Sequence, residues 1–182
     1  TELEQINKLS SKRKYRVATD GKSTVYVCPE SGTLSVSVKN RATGAALAAG
    51  TDYTFAEGKI TFTSAPPAGA DVYEVEYTVA SDDSGAVRAM KFAELYNGAT
   101  DNRVFLYGDG SNKALYSGLD IDGNPTAEYF PDMNVLDIGD ENTPITAMIR
   151  HYSRLLAFKE DSAYSVQYGT VTNAEGKILP AF

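Results

Sequence analysis

The chain has no tryptophan, one cysteine, one histidine and three methionines among its 182 residues. A lone cysteine, Cys28, excludes an intrachain disulfide and a cysteine-rich zinc site, since each needs further thiolates. A lone histidine, His151, makes a poor metal site without a second histidine or a cysteine beside it. No apolar run approaches the ~18 residues of a membrane helix, and no secretory leader is visible, so a membrane partner is not expected. Positive charge is scarce: 17 Lys and Arg stand against 24 Asp and Glu, for a net charge of −7 and a pI of about 4.7. That balance argues against nucleic-acid binding by the whole surface.

The charge is uneven. Lys8, Lys12, Arg13, Lys14 and Arg16 face only Glu2 and Glu4 within residues 1–16. Leu3, Ile6 and Leu9 recur at three-residue spacing there, which suits either a short helix or a basic connecting arm. We take residues 1–16 as such an arm, solvated rather than bound to nucleic acid. The first residue is Thr1 and the last five are ILPAF, which reads as a fragment of something longer.

Twelve tyrosines, fifteen glycines and abundant Thr, Val and Asp point to a β-rich protein with many turns. Over residues 17–80, strand-like runs fall at 24–28, 34–39, 53–55, 59–63 and 72–79, separated by Gly, Pro and Asp-rich turns. YTF-AEG-KITFT is a hairpin in which Gly58 supplies the positive φ of the turn. In TLSVSVK, Leu34, Val36 and Val38 alternate with polar residues, giving one core face and one wet face. In ADVYEVEYTVA, Val72, Glu74 and Glu76 share one face, and Tyr73, Val75, Tyr77 and Val79 share the other. Short strands at this spacing predict a small antiparallel β-sandwich.

Residues 81–85 (SDDSG) form a polar break, taken as the domain boundary. Beyond it, RVFLY-GDGSN-KALYS predicts a hairpin with Val104, Leu106 and Leu115 inward and Gly108 and Gly110 in the turn. LLAFK and AYSVQY, joined by Glu160-Asp161-Ser162, predict a second hairpin with Tyr164, Val166 and Tyr168 on one face. Residues 145–151 (ITAMIRH) suit a helix capped by Thr143-Pro144 about as well as a strand. Residues 86–95 carry the same ambiguity.

Chemistry is sparse. Cys28, at the end of an apolar run and followed by Pro29, reads as a small buried side chain rather than a nucleophile. Asp120-Ile121-Asp122-Gly123-Asn124 looks like the start of a calcium loop, but Pro125 and Pro131 stand where that motif needs glycine and glutamate. A turn is the better reading. Gly108-Asp109-Gly110 lacks the Gly-Lys-Ser/Thr of a phosphate loop. Asp82/Asp83, Asp140/Glu141 and Glu160/Asp161 are neighbouring acids at turn tips, where no carboxyl is desolvated for acid–base work. No catalytic set, cofactor site or metal site is assigned, and the chain is read as non-enzymatic. Tyr96, Tyr107, Tyr116 and Tyr129, taken as exposed, are the candidate interaction surface. Beside Asn and Asp they would suit a sugar platform, or they pack as core residues or anchor neighbouring subunits.

The stretch GKITFTSAPPAGADVYEVEYTV resembles the small β modules of bacteriophage tail and tail-fibre proteins. KFAELYNGATDNRVFLYGDGSNKALYSG, then AEYFPDMN and GDENTPITAMIRHYSRLLAFKEDSAYSV, are similar to propeller-like structural proteins of tailed phages and prophages. Together these matches cover most of residues 17–168, and they are architectural, with no catalytic residue to carry over. The resemblance favours a strand at residues 145–151. It implies a mainly β chain: a basic arm (1–16), an antiparallel β-sandwich module (17–80) and a propeller-like hairpin region (86–182) forming an incomplete propeller. It also implies a virion protein of the tail or head–tail region, made in the bacterial cytoplasm. Its partners would be other virion proteins or copies of itself. The runner-up is a carbohydrate- or receptor-binding module of an adhesin or tail fibre.

Overall fold

The computed structural model describes residues 7–80, 84–98, 101–172, 174, 176 and 178–182. Residues 1–6 of the expected arm and 81–83 of the expected boundary lie outside the described residues. The chain is mainly β, in several antiparallel sheets of which none closes on itself. It divides into two compact units, Thr1–Asp83 and Ser84–Phe182, each with its own core.

In the first unit, β1 (Lys12–Thr19), β6 (Gly69–Val79) and β3 (Thr33–Asn40) form one sheet with β6 in the middle. β2 (Val25–Val27), β5 (Lys59–Phe62) and β4 (Tyr53–Ala56) form another, with β5 in the middle. Both contribute to one cluster, in which Tyr15, Val17, Val38, Val75 and Tyr77 meet Tyr53, Ile60 and Phe62. The alternation read in residues 72–79 holds, with Val75, Tyr77 and Val79 buried. In the β4–β5 hairpin, Gly58 (φ 71°) is left-handed as expected, and so is Glu57 (φ 50°). That pair of positive φ values marks the twist-matched two-residue turn.

Two expectations change here. The basic residues 12–16 are not a connecting arm: Lys12–Thr19 is a strand paired with β6 in the register Tyr15↔Val75. The physical reason is a period of two that the charges conceal. Arg13, Tyr15 and Val17 all point into the core, and Arg13 survives burial because its guanidinium pairs with Glu30. Leu34 does not share the core face with Val38; it is 64% exposed. The ladder shifts register between Thr33 and Ser35, so Leu34 sits in a β-bulge that turns its side chain outward.

The second unit opens with one turn of helix, α1 (Gly85–Ala89), which buries Val87. A four-stranded sheet follows in the order β10 (Val135–Asp137), β9 (Lys113–Tyr116), β8 (Asp101–Tyr107), β7 (Phe92–Gly98). A three-stranded sheet comprises β11 (Ala147–His151), β12 (Arg154–Phe158) and β13 (Ala163–Gln167), and β14 (Gly169–Thr172) pairs with β15 (Ile178–Ala181). Residues 147–151 are thus strand, and the ambiguous 86–95 segment splits between helix and strand. The β12–β13 hairpin buries Val166 and half-buries Tyr164 and Tyr168, the face read from the sequence.

The β8–β9 hairpin forms, with Gly108 (φ 95°) and Gly110 (φ 94°) in its turn, but its expected face is inverted on β8. Arg103, Phe105 and Tyr107 are buried, whereas Val104 and Leu106 are only half-buried. An aromatic pair outweighs two aliphatics, and Arg103 follows them inward by donating from Nη1 to the Ser117 carbonyl at 2.8 Å. Leu115, with Ala114, is buried as expected.

Candidate functional site

The four tyrosines proposed as a surface are not one. Tyr96 (0% exposed), Tyr107 and Tyr129 are buried, and Tyr116 is half-buried. For Tyr96 and Tyr116 the reason is aromatic packing: Phe182 takes an edge-on position against Tyr96, Tyr116 and Tyr168 at 5.0–6.1 Å between centroids. Phe105 stacks on Tyr116 at 5.5 Å. Such pairs add stability beyond their buried area. Tyr96 also ties three segments together. Its Oη donates to the Ser153 carbonyl (2.6 Å) and accepts from the Tyr168 N–H (3.0 Å).

The other singled-out residues also have structural work. Cys28 is buried, and burial pushes its thiol pKa up, opposite to the shift a nucleophile needs. The Tyr15 hydroxyl donates to its sulfur at 3.8 Å. In the Asp120 loop, the Asp122 and Asn124 N–H groups both donate to Asp120 Oδ1, at 2.9 and 2.8 Å. The carboxylate therefore closes an Asx-type turn. Among the described residues no group of three or more His, Cys, Asp and Glu side chains is placed to hold a metal ion. None of the helices among these residues is long and apolar enough to cross a membrane.

A shallow cleft of about 470 Å³ lies at one end of the β3–β6 pair, lined by Asn40, Arg41, Ala42, Pro67, Asp71 and Val72. Arg41 and Asp71 pair across it at 3.2 Å. It brings together one acid and one base, already in contact, and no nucleophile.

Two features of the second unit stand out instead, at opposite ends of the β11–β12–β13 sheet. At one end, His151 pairs with Arg154 across the β11–β12 hairpin, leaving Tyr152-Ser153 as the loop. Tyr152 is 85% exposed and has φ 52°, with its ring edge-on to His151 at 4.6 Å. The two-residue turn calls for this left-handed backbone at its first position, which a bulky residue adopts at some cost. Arg150, His151 and Arg154 are all exposed around it, and the Gln167 amide oxygen accepts from Arg154 Nε at 2.6 Å.

At the other end lie the acids seen as turn tips. Ile145 donates its N–H to the Ser111 carbonyl, Lys159 Nζ donates to the Asp140 carbonyl, and Lys159 N–H donates to the Ser162 carbonyl. These bonds gather the Asp109 turn, the Asp140-Glu141 loop and the Glu160-Asp161 turn at that end, all exposed. The Asp140 carboxyl lies below the usual carboxylate range because the Asn142 N–H donates to it. Sequence reasoning set a metal-ligand role for His151 aside in favour of a surface or packing role and missed the hairpin tip. The usable signal was two arginines, a histidine and a tyrosine within five residues of an acidic chain.

No family model, no curated protein and no solved structure matches this chain.

Proposed function

We propose that the chain is a protein–protein assembly module of a tailed-phage or prophage virion, in its tail or head–tail region. The phage assignment rests on the motif resemblance of residues 58–79 and 91–166. The assembly assignment rests on one structural observation: the large apolar side chains left exposed on sheets lie on edge strands. Val25 and Val27 are on β2, Leu34 on β3, Phe92 and Leu95 on β7, and Ile149 on β11, and each of these strands is terminal in its sheet. Edges are ordinarily blunted by charge or proline. An edge carrying Val, Leu and Phe is suited to being covered by another chain. In this reading the first unit is a small β-sandwich, and the second carries propeller-like hairpins whose closure takes further blades. Its partners are copies of itself or other virion proteins, and its place is the particle, after synthesis in the bacterial cytoplasm.

Mass spectrometry of particles purified after prophage induction tests the reading. Peptides of this chain at stoichiometric level are the expected result. Their absence from intact particles, with the chain found free in the lysate, would refute a virion role. The carbohydrate-binding alternative was built on Tyr96, Tyr107, Tyr116 and Tyr129, and their burial removes that platform.

A further inference from the structure

The β11–β12–β13 sheet carries opposite charge at its two ends, and the separation is built into the strands. Met148↔Ala157 and its neighbours run antiparallel, so a five-residue strand holds the Arg150–Arg154 tip about 17 Å from the Phe158–Lys159 end. The tip presents two permanent guanidinium charges, an imidazole and an exposed phenol ring. The far end presents Asp109, Asp140, Glu141, Glu160 and Asp161. Against these stand Lys91, exposed near the Asp109 turn, and Lys159, which is buried. Within one copy the two ends face apart and cannot satisfy one another.

We infer that the Tyr152 hairpin tip docks onto the acidic end of the same sheet in a second copy, so that copies associate head to tail. This rests on the assembly reading and specifies the contact. Two observations carry it. Charge complementarity selects the partner: the tip is cationic in a chain of net charge −7, and the acidic end offers its counterpart. Tyr and Arg are the side chains most often found at energetic centres of interfaces. Because the two patches differ, the contact is heterologous. It builds a row or a ring, depending on the rotation between copies.

The test uses the 182-residue chain, its mass followed by light scattering and sedimentation against concentration and salt. Wild type should associate at low salt and weaken at least about tenfold between roughly 50 mM and 500 mM NaCl. R150E/R154E and E160K/D161K, all at exposed positions, should each lose association. Mixed one to one they should regain it, because each then supplies the patch the other needs. Tyr152→Asn should also weaken association while melting no lower than wild type, since Asn tolerates left-handed backbone. A monomeric wild type at low salt, or charge-swapped variants that fail to rescue each other while remaining folded, would overturn the inference. Association insensitive to both salt and charge reversal would overturn this contact while leaving the assembly reading in place.

Discussion

Replacing Tyr96 with Phe isolates two hydrogen bonds from the packing of one ring. The ring is fully buried, and Phe preserves its contacts with Phe105 and Phe182. What is lost is the Oη that donates to the Ser153 carbonyl and accepts from the Tyr168 N–H. Each backbone group left without a partner costs about 1–3 kcal/mol when water cannot replace the lost bond. Both sites are part-buried, so we expect about 2–4 kcal/mol in total. For a unit of this size, near a hundred residues, that corresponds to a fall of about 10–20 °C in the melting temperature of the second unit. Differential scanning calorimetry is the assay, with urea unfolding as a check on ΔG. Tyr116→Phe is the control: that ring packs on Phe105 and Phe182 but its hydroxyl makes no hydrogen bond among the described residues, so its change should stay near zero. A Tyr96→Phe change as small as the control's would mean that the phenol bridge does not join β7 to the β11–β12 loop as described.

Three further outcomes follow from particular residues. Glu57→Asn should stabilise the first unit by about 0.5–1 kcal/mol in urea unfolding, because Asn accepts the left-handed first position of the β4–β5 turn far better than Glu. Gly139→Ala should destabilise the second unit by about 2–4 kcal/mol: Gly139 has φ 58°, and an added Cβ would overlap the Tyr164 ring. The Asp20 carboxylate accepts from the Ser23 N–H (2.7 Å), the Ser23 hydroxyl (2.7 Å) and the Lys22 N–H (2.9 Å), which lower its pKa to about 2. A carboxyl depressed in the fold adds stability that is complete above its unfolded pKa near 4 and is lost as pH falls toward 2. Carbon-detected NMR should therefore place its titration midpoint near 2, and Asp20→Asn should flatten that part of the acid unfolding curve. A midpoint near 4 would remove the turn from the account.

Where the sequence could be read, it was through alternation and turn chemistry. Val75, Tyr77 and Val79 on one face, Gly58 in a hairpin, and Tyr164 opposite the wet side of β13 all depend on neighbours within a few residues. The failures share a cause in distance. Arg13 and Arg103 are interior residues only because Glu30 and the Ser117 carbonyl are brought to them by folding, and no local pattern announces those partners. Reading Val104 and Leu106 as inward placed Arg103, Phe105 and Tyr107 on the opposite face of the strand, whereas they are the buried ones. Leu34 was misplaced by a single bulged residue. The buried tyrosines were misread because a phenol beside Asn and Asp looks the same in sequence whether its ring faces water or Phe182. The Arg150–Arg154 tip was fully visible as letters, but its meaning needed the two-residue turn that presents Tyr152 and the acids at the far end of the sheet.

The pairing of β1 with β6 has a consequence for how the first unit comes into being. Its first strand and its last lie side by side, with Lys12 opposite Thr78, so the contact closes a loop of more than sixty residues. Contacts of such long sequence separation are slow to form, and nothing rewards them until the chain ends have met. On a ribosome, Tyr15 and Val17 would emerge early and wait, apolar and unpaired, until β6 had been translated and released from the exit tunnel. The central strand β6, which bridges β1 and β3, is the last of the unit to be made. The first unit therefore folds late and all at once, and its period of greatest exposure to aggregation is set by translation speed across residues 20–79.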